Sequence, residues 1–503
     1  MEDKKSKITL PSLVLLIFSS IFGFNNSLTA YYQMGYFSII WYLISAVLFF
    51  LPSAMIFAEY GATFKDAKGG IYSWLKGSVS DRTSFVGTFI WLAAWVIWLV
   101  SSTQFFFVAV STLIFGHDTT TSWHIGSLSS TQTLGILEIL FMIVVTFCAA
   151  RGVDKISFIN NIGGIFTLAI AIGFPVISLL VFFLNHGQLA QPLNLHTLTH
   201  SPNPAFQTPV ALVSFMIYAL FAYGGLETSA GVIDSVEKPE KTFPRALIIA
   251  MIVMTILYSF NILMCGVAAN WMSKLGAKDV NLGNVEYVLI NNLGYTLGQD
   301  LGLSASGCSM LSSIIAHFAG LADVLSGIAA AILMVYSPIK SFIMGCDPKM
   351  LPKSLVKLNK HDMPERAMWI QAAVVSVIIF FISFGGNAAS QFYTILMDMM
   401  NVSSTTPYLF LIGAFPFFKR KKNLDRPFVF FKSTTTATVV SIVVWIIVAI
   451  GIIFTCIEPL FTGDLMTSFW TILGPVLFGI VALIYFEVKT RQNLKEESTL
   501  EEA

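Results

Sequence analysis

The chain has 503 residues, of which 55% are hydrophobic and only 11% are charged, and its mean hydropathy is +0.76. Soluble domains carry about 25% charged residues, so a soluble globular protein is excluded and most of this chain must face lipid or other helices. The net charge is +1, and no basic cluster with interleaved aromatic residues is present, so nucleic acid is not expected as a partner.

The cysteines and the N-terminal residues indicate which kinds of site and segment to expect. The five cysteines stand singly, without a CxxC motif, and this pattern predicts neither a metal site nor a disulfide framework. The N-terminal residues 1–8 lead into an apolar run that is too long for the core of a cleaved signal peptide. We therefore expect this run to remain in the protein as the first membrane span.

Twelve apolar stretches are long enough to cross a bilayer core of about 30 Å, and they lack the alternation typical of barrel strands. The predicted spans are 9–32, 38–63, 85–115, 132–150, 155–184, 206–233, 244–269, 311–339, 367–385, 388–417, 434–457 and 466–487. With both termini in the cytoplasm, 27 of the 29 lysines and arginines fall on the cytoplasmic side, and Lys274 and Lys278 are the exceptions. This asymmetry is what the positive-inside rule requires of a twelve-span protein with both ends inside.

The longest predicted outside loop, at about residues 185–205, contains His196 and His200. Their spacing is found in zinc sites, but the neighbouring prolines and the absence of another strong ligand favour a solvated loop. No cofactor or metal is predicted.

Two spans contain residues that are poor helix formers in mid-membrane. Span 1 reads Phe18-Ser19-Ser20-Ile21-Phe22-Gly23-Phe24-Asn25-Asn26-Ser27, and span 6 contains Phe221-Ala222-Tyr223-Gly224-Gly225-Leu226-Glu227-Thr228. Broken helices at matching positions of two halves are the best sequence indication of a transporter site. The alternative is that these small residues merely allow close helix packing.

Glu227 is the most informative single residue, because a charge deep in a membrane costs about 3 kcal/mol on insertion scales. Proton coupling is the favoured interpretation, and anchoring of span 6 to a neighbouring helix is the alternative. Asp323 and Asp398 also lie far from the predicted interfaces, whereas Glu59 and Glu138 lie nearer helix ends, where solvation would explain them.

Four segments, in order along the chain, resemble the amino acid–polyamine–organocation (APC) superfamily. They are Ala58-Glu59-Tyr60 with Lys68-Gly69-Gly70-Ile71-Tyr72-Ser73-Trp74, then the span 6 segment, then Lys238-Pro239-Glu240-Lys241-Thr242-Phe243-Pro244-Arg245-Ala246, and then Ser337-Pro338 with Leu351-Pro352, Leu358-Asn359-Lys360 and Met363-Pro364. The chain is most similar to the glutamate:GABA-antiporter branch, and within it to the YjeM-type permeases of the inner membrane.

The resemblance implies an all-α membrane protein of the leucine-transporter (LeuT) fold. Two inverted five-helix repeats would cover 9–184 and 206–417, helices 11 and 12 would cover 434–487, and 488–503 would form a cytoplasmic tail. It implies that the substrate carboxylate binds backbone N–H groups of span 1 and that the ammonium group meets carbonyls of both breaks, with Phe221 as an aromatic gate. The implied substrate-binding residues are Ser19, Ser20, Ile21, Phe22, Gly23, Phe24, Phe221, Ala222 and Gly224.

The predicted function is therefore secondary transport of an amino acid across the plasma membrane by alternating access, with protons as a further candidate ligand. A polyamine or other amine carrier is the alternative, although such a substrate would require several carboxylates in the cavity. A membrane enzyme is disfavoured because no nucleophile–base pair or metal cluster is recoverable, and a receptor because no large soluble domain is present. Ala330 to Met334 replace a Glu and a Trp of the acid-resistance antiporters, so the resemblance does not decide which amino acid is carried.

Overall fold

The computed structural model describes residues 8–65, 70–151, 154–227, 236–361, 363–385 and 389–501. In these residues the regular secondary structure is helical, apart from an isolated backbone bridge between Ile8 and Val236. The α-helices in chain order are α1 (Leu10–Ile21), α2 (Phe24–Met34), α3 (Phe37–Ser45), α4 (Leu51–Thr63), α5 (Ile71–Ser78), α6 (Asp81–Phe115), α7 (Ser130–Ala149), α8 (Asp154–Leu184), α9 (Leu195–Thr199), α10 (Pro209–Phe221), α11 (Pro239–Ala268), α12 (Trp271–Lys274), α13 (Val285–Asp300), α14 (Ala305–Gly345), α15 (Lys353–Val356), α16 (Glu365–Phe384), α17 (Ala389–Arg420), α18 (Thr434–Phe461) and α19 (Leu465–Glu501).

The predicted all-α membrane architecture is confirmed. Within the described residues, eight helical segments are long and apolar enough to cross a membrane, and two shorter ones, Leu168–Leu184 and Pro209–Phe221, are also apolar. One of the eight runs continuously from α3 to α4 through a π-helical turn at Ala46–Phe50. Predicted span 1 is divided between α1 and α2, and predicted span 10 is the more polar α17. The exact count of twelve spans remains a prediction.

Local sequence signals explain where several of these helices begin and end. Ser80 caps α6 by accepting a hydrogen bond from the Thr83 backbone, and α6 ends at Gly116, whose φ of +74° suits glycine. The first turn of α7 has a capping box between Ser129 and Gln132. Each of the two helices therefore begins at a polar cap, and its apolar residues follow.

Helix α11 has a central position for the functional site, because it packs against both halves of span 1, α1 and α2, and also against α3, α4 and α8. A second group of contacts joins α6 to α14 and α17. Side chains on α11 can therefore reach the gap between α1 and α2.

Two acidic residues expected to be solvated are buried. Glu59 is fully buried: it pairs with Lys419 Nζ at 2.8 Å and accepts hydrogen bonds from the backbone N–H groups of Phe430 and Phe431. Glu138 is 1% exposed and accepts a hydrogen bond from the Thr103 hydroxyl at 3.4 Å. The explanation of both residues by solvation at helix ends is therefore wrong. Glu59 is covered by Lys419 of α17 and by the segment that precedes α18, and Glu138 lies near the middle of α7.

Candidate functional site

The break predicted in span 1 is present at Phe22 and Gly23. Both residues have extended backbone angles, with φ −68° and ψ 114° at Phe22 and φ −108° and ψ 117° at Gly23. Helix α1 ends at Ile21 and α2 begins at Phe24. In a continuous helix the Gly23 N–H would donate to the Ser19 carbonyl. Here it donates instead to the hydroxyl of Tyr258. The break therefore releases a backbone donor and a backbone acceptor near the middle of the span.

The break in span 6 begins where α10 ends, at Phe221. The Gly224 N–H turns back to the Phe221 carbonyl at 2.7 Å, and Gly225 has a φ of +108°, a conformation that side chains other than glycine rarely adopt. The tight turn at Gly224 and the positive φ of Gly225 thus explain the double glycine. Residues 228–233, predicted as the rest of this span, lie outside the described residues.

The Tyr258 side chain on α11 connects the two breaks. Its hydroxyl accepts a hydrogen bond from Gly23 N at 3.1 Å and donates one to the Ala222 carbonyl at 2.9 Å. Tyr258 is fully buried, and its ring stacks on Phe22 with a centroid distance of 4.7 Å. One oxygen atom therefore contacts an N–H group of the first break and a carbonyl group of the second.

Other tyrosines surround the same point. The hydroxyls of Tyr42 and Tyr218 both donate to the Asn26 carbonyl, at 3.1 and 3.0 Å. Tyr42 and Tyr223 also pack against the Tyr258 ring, with centroid distances of 5.2 and 5.6 Å. Tyrosine suits this position because it combines a large apolar ring with one hydroxyl that can satisfy exposed backbone groups.

Glu227 lies beside the second break and is 5% exposed, and among the described residues its carboxylate accepts hydrogen bonds from Tyr408, Gly225 and Trp91. Tyr408 Oη of α17 donates to Oε2 at 2.6 Å, and Trp91 Nε1 of α6 donates to Oε1 at 3.3 Å. The Gly225 N–H is shared between Tyr408 Oη at 2.9 Å and Oε2 at 3.2 Å. The carboxylate therefore joins the end of span 6 to two other helices.

The residues predicted from the sequence occupy different parts of this arrangement. Ser19, Ser20 and Ile21 form the last turn of α1, although the side chains of Ser19 and Ser20 lie outside the described part of the chain. Phe24 is buried against Phe174 of α8, with a centroid distance of 5.4 Å. These positions put the predicted residues along the first break, but binding by them remains a prediction.

The second break holds the other predicted residues. The Phe221 side chain is half-buried, and its carbonyl already accepts from Gly224, whereas the Ala222 carbonyl is bonded to Tyr258. Asp323 of α14 accepts a hydrogen bond from the Tyr287 hydroxyl of α13 at 2.9 Å.

Sequence reasoning missed the residues that connect the elements: Tyr258, Tyr408 and Trp91. No motif marks them, because an aromatic residue in an apolar span usually has only a packing role. The signal that could have found them is the tyrosine hydroxyl itself, since a buried hydroxyl needs a hydrogen-bond partner. Which backbone group supplies that partner depends on contacts between distant spans.

A cavity of about 220 Å³ lies elsewhere, between α6, α14, α16 and α19. Its lining is almost entirely apolar and includes Phe85, Phe342, Val374 and Phe478. A zwitterionic ligand needs polar partners when it is removed from water, so this cavity does not suit an amino acid, and the breaks remain the candidate site.

Comparisons with known proteins give matches over nearly the whole chain. Residues 8–482 match the family model for amino acid permeases. The chain is 42% identical to the inner membrane transporter YjeM of Salmonella typhimurium, over 98% of each chain. It is 23% identical to a glutamate/gamma-aminobutyrate antiporter of Lactococcus lactis, over 92% of this chain and 86% of that one.

The likeness to solved structures concerns the fold alone. A mutant form of the manganese transporter of Eremococcus coleocola aligns over 98% of this chain and 97% of that one, with a TM-score of 0.52 and 12% sequence identity. The overall arrangement of helices is therefore shared with a known transporter, while identity this low says nothing about what is transported.

Proposed function

Because the chain belongs to the amino acid permease family of the APC superfamily, and is thus a multi-pass membrane transporter and not an enzyme, we propose that it moves an amino acid by alternating access. The substrate would lie between the break at Phe22–Gly23 and the break that begins at Ala222. The membrane of action would be the inner or plasma membrane, which agrees with the relatives and with the apolar helices.

The observation that carries this proposal is the convergence of two opposite backbone groups on one point. Gly23 presents an N–H group, which suits a carboxylate, and Ala222 presents a carbonyl group, which suits an ammonium group. Both contact the same tyrosine oxygen, so they can be no farther apart than the sum of two hydrogen bonds of 3.1 and 2.9 Å. An amino acid carries both complementary groups, whereas a simple amine carries only one.

The ends of span 1 support a hinge at the break. At one end, Glu237 N donates to the Ile8 carbonyl at 3.0 Å and so ties the start of α1 to the segment before α11. At the other end, Tyr31 Oη of α2 donates to the Ala269 carbonyl at 2.8 Å, and Trp271 Nε1 donates to the Tyr32 carbonyl at 2.8 Å. These contacts hold the two halves of span 1 at opposite ends of α11, and the break between them would be the hinge when the repeats rock around the site.

Glu227 is proposed to anchor span 6 rather than to carry a proton. Its three donors come from α6, α17 and its own turn, so the carboxylate fixes the position of the second break relative to both helices. Anchoring needs the hydrogen bonds, and proton coupling would need a change in the charge of the carboxylate during transport. These two roles can be separated by substitution.

A ligand screen tests the proposed function. Purified protein is heated with each of the twenty amino acids and with the amine that corresponds to each one without its carboxylate. A ligand that binds only the folded state raises stability, by about 2.7 kcal/mol at a concentration of 100 Kd. We expect at least one amino acid to stabilise the protein and to enter proteoliposomes, and its matched amine to do neither. Equal stabilisation by the amines would favour the amine carrier, and an absence of both binding and uptake would refute the proposal.

A further inference from the structure

We infer that the hydroxyl of Tyr258 takes the place of the substrate's two charged groups when the site is empty, so that a substrate must displace it to bind. This inference rests on the proposed function, because it concerns the same site. The inference makes Tyr258 a residue that controls substrate affinity. It also indicates the substrate class: amino acids, whose carboxylate and ammonium groups together replace one hydroxyl.

The need for such a group follows from the membrane setting. A broken helix in a bilayer leaves backbone N–H and C=O groups without helical partners, and each unsatisfied group costs several kcal/mol. Water could satisfy these groups in an open cavity, but Gly23 and Ala222 lie beside buried aromatic rings. In this structure the Tyr258 hydroxyl satisfies one group of each break.

A hydroxyl can imitate both ends of an amino acid because it is at once a donor and an acceptor. Toward Gly23 it accepts, as a carboxylate oxygen would. Toward Ala222 it donates, as an ammonium group would. A phenylalanine at the same place would fill the same volume but offer neither interaction.

Tyr258 and the substrate compete directly for the Gly23 N–H group. A backbone N–H has one proton, so a strong bond to the Tyr258 oxygen competes directly with a bond to a substrate carboxylate. The Ala222 carbonyl has two lone pairs and can accept from both. Loss of the Gly23 bond would remove the shortest contact of the Tyr258 hydroxyl with the first break, and its contacts with the Ile21 carbonyl and Asn26 Nδ2 are longer, at 3.5 Å each. Substrate binding would thereby loosen a contact that holds α1 and α2 to α11.

The test is Tyr258→Phe in the full-length protein. The ring packing against Phe22, Tyr42 and Tyr223 is kept, so the variant should fold, with a lower melting temperature in the absence of ligand. The affinity for the amino acid found in the ligand screen should rise about tenfold, the equivalent of one hydrogen bond of ordinary net strength. Binding is measured by isothermal titration calorimetry.

The matched control is Tyr60→Phe. Tyr60 is also fully buried, and its hydroxyl donates to the Leu411 carbonyl at 3.0 Å, at the Glu59 end of α4 and away from both breaks. This variant should lose stability without gaining affinity. Unchanged or weaker binding in Tyr258→Phe would overturn the inference while leaving the proposed function intact. Failure of wild-type protein to bind any amino acid would instead overturn the proposed function.

A second measurement keeps Tyr258 and does not depend on a variant that folds. 3-Fluorotyrosine is placed at position 258, and its fluorine resonance is recorded with and without saturating amino acid. Displacement predicts a shift of this resonance, because the hydroxyl exchanges its partners. A resonance that stays unchanged when the ligand is bound would contradict displacement.

Discussion

Replacement of Glu227 by Gln separates anchoring from proton coupling. The carboxylate accepts two hydrogen bonds at Oε2, from Tyr408 and Gly225, and one at Oε1, from Trp91. A glutamine can place its oxygen at the Oε2 position and keep the first two. Its NH₂ group then faces the Trp91 N–H, so one hydrogen bond is lost and two donors meet.

The expected loss in the free energy of unfolding is about 1–3 kcal/mol, the range for a buried polar group left without its partner. Glu227→Ala, which removes all three acceptor contacts, should cost clearly more. Glu138→Gln is the matched control, since Glu138 is equally buried but accepts its hydrogen bond from Thr103 and lies away from the breaks. Its amide oxygen can keep that bond, while its NH₂ group replaces Oε1, which is buried and has no hydrogen-bond partner among the described residues. The stability lost in this control is the cost of burying the amide, and Glu227→Gln should lose more than this.

The assay combines thermal unfolding of purified protein with the pH dependence of uptake into proteoliposomes. Anchoring predicts that Glu227→Gln is less stable and that its uptake, where measurable, keeps the wild-type pH profile. The opposite result, wild-type stability with substrate binding retained and the pH dependence lost, would refute anchoring and establish proton coupling as the role of Glu227.

Three further outcomes are expected. Gly23→Leu should insert into the membrane but lose amino acid binding, because its side chain would fill the space beside the break; normal affinity in a calorimetric titration would remove Gly23 from the site. On a cysteine-free background, a cysteine in loop 186–204 should react with an impermeant reagent added to intact cells and one in 350–362 should not, and the reverse pattern would contradict the twelve-span orientation. Lys419→Met should lower the free energy of unfolding by about 3–5 kcal/mol, because it leaves the Glu59 carboxylate buried without its cation; Glu59→Gln combined with Lys419→Met should recover much of this loss, and a single variant as stable as wild type would show that the pair contributes little.

Local sequence alone determined several features of the protein. A run of about twenty apolar residues can cross a bilayer only as a helix, so the spans and the all-α class follow from composition. Glycine and asparagine in mid-span weaken a helix wherever it packs, so the break at Gly23 and the break before Gly225 could also be predicted. These features depend on neighbours along the chain.

The tertiary structure alone decided which groups meet at the breaks. Tyr258 lies more than 230 residues from Gly23 in sequence, and its hydroxyl reaches both breaks only because α11 packs against α1 and α2. Nor could the sequence show that Glu59 pairs with Lys419, or that Glu227 lies between Trp91 and Tyr408. A hydrogen bond requires two atoms about 3 Å apart in a suitable direction, and for residues on different helices that distance is set by packing, which leaves no pattern in either segment.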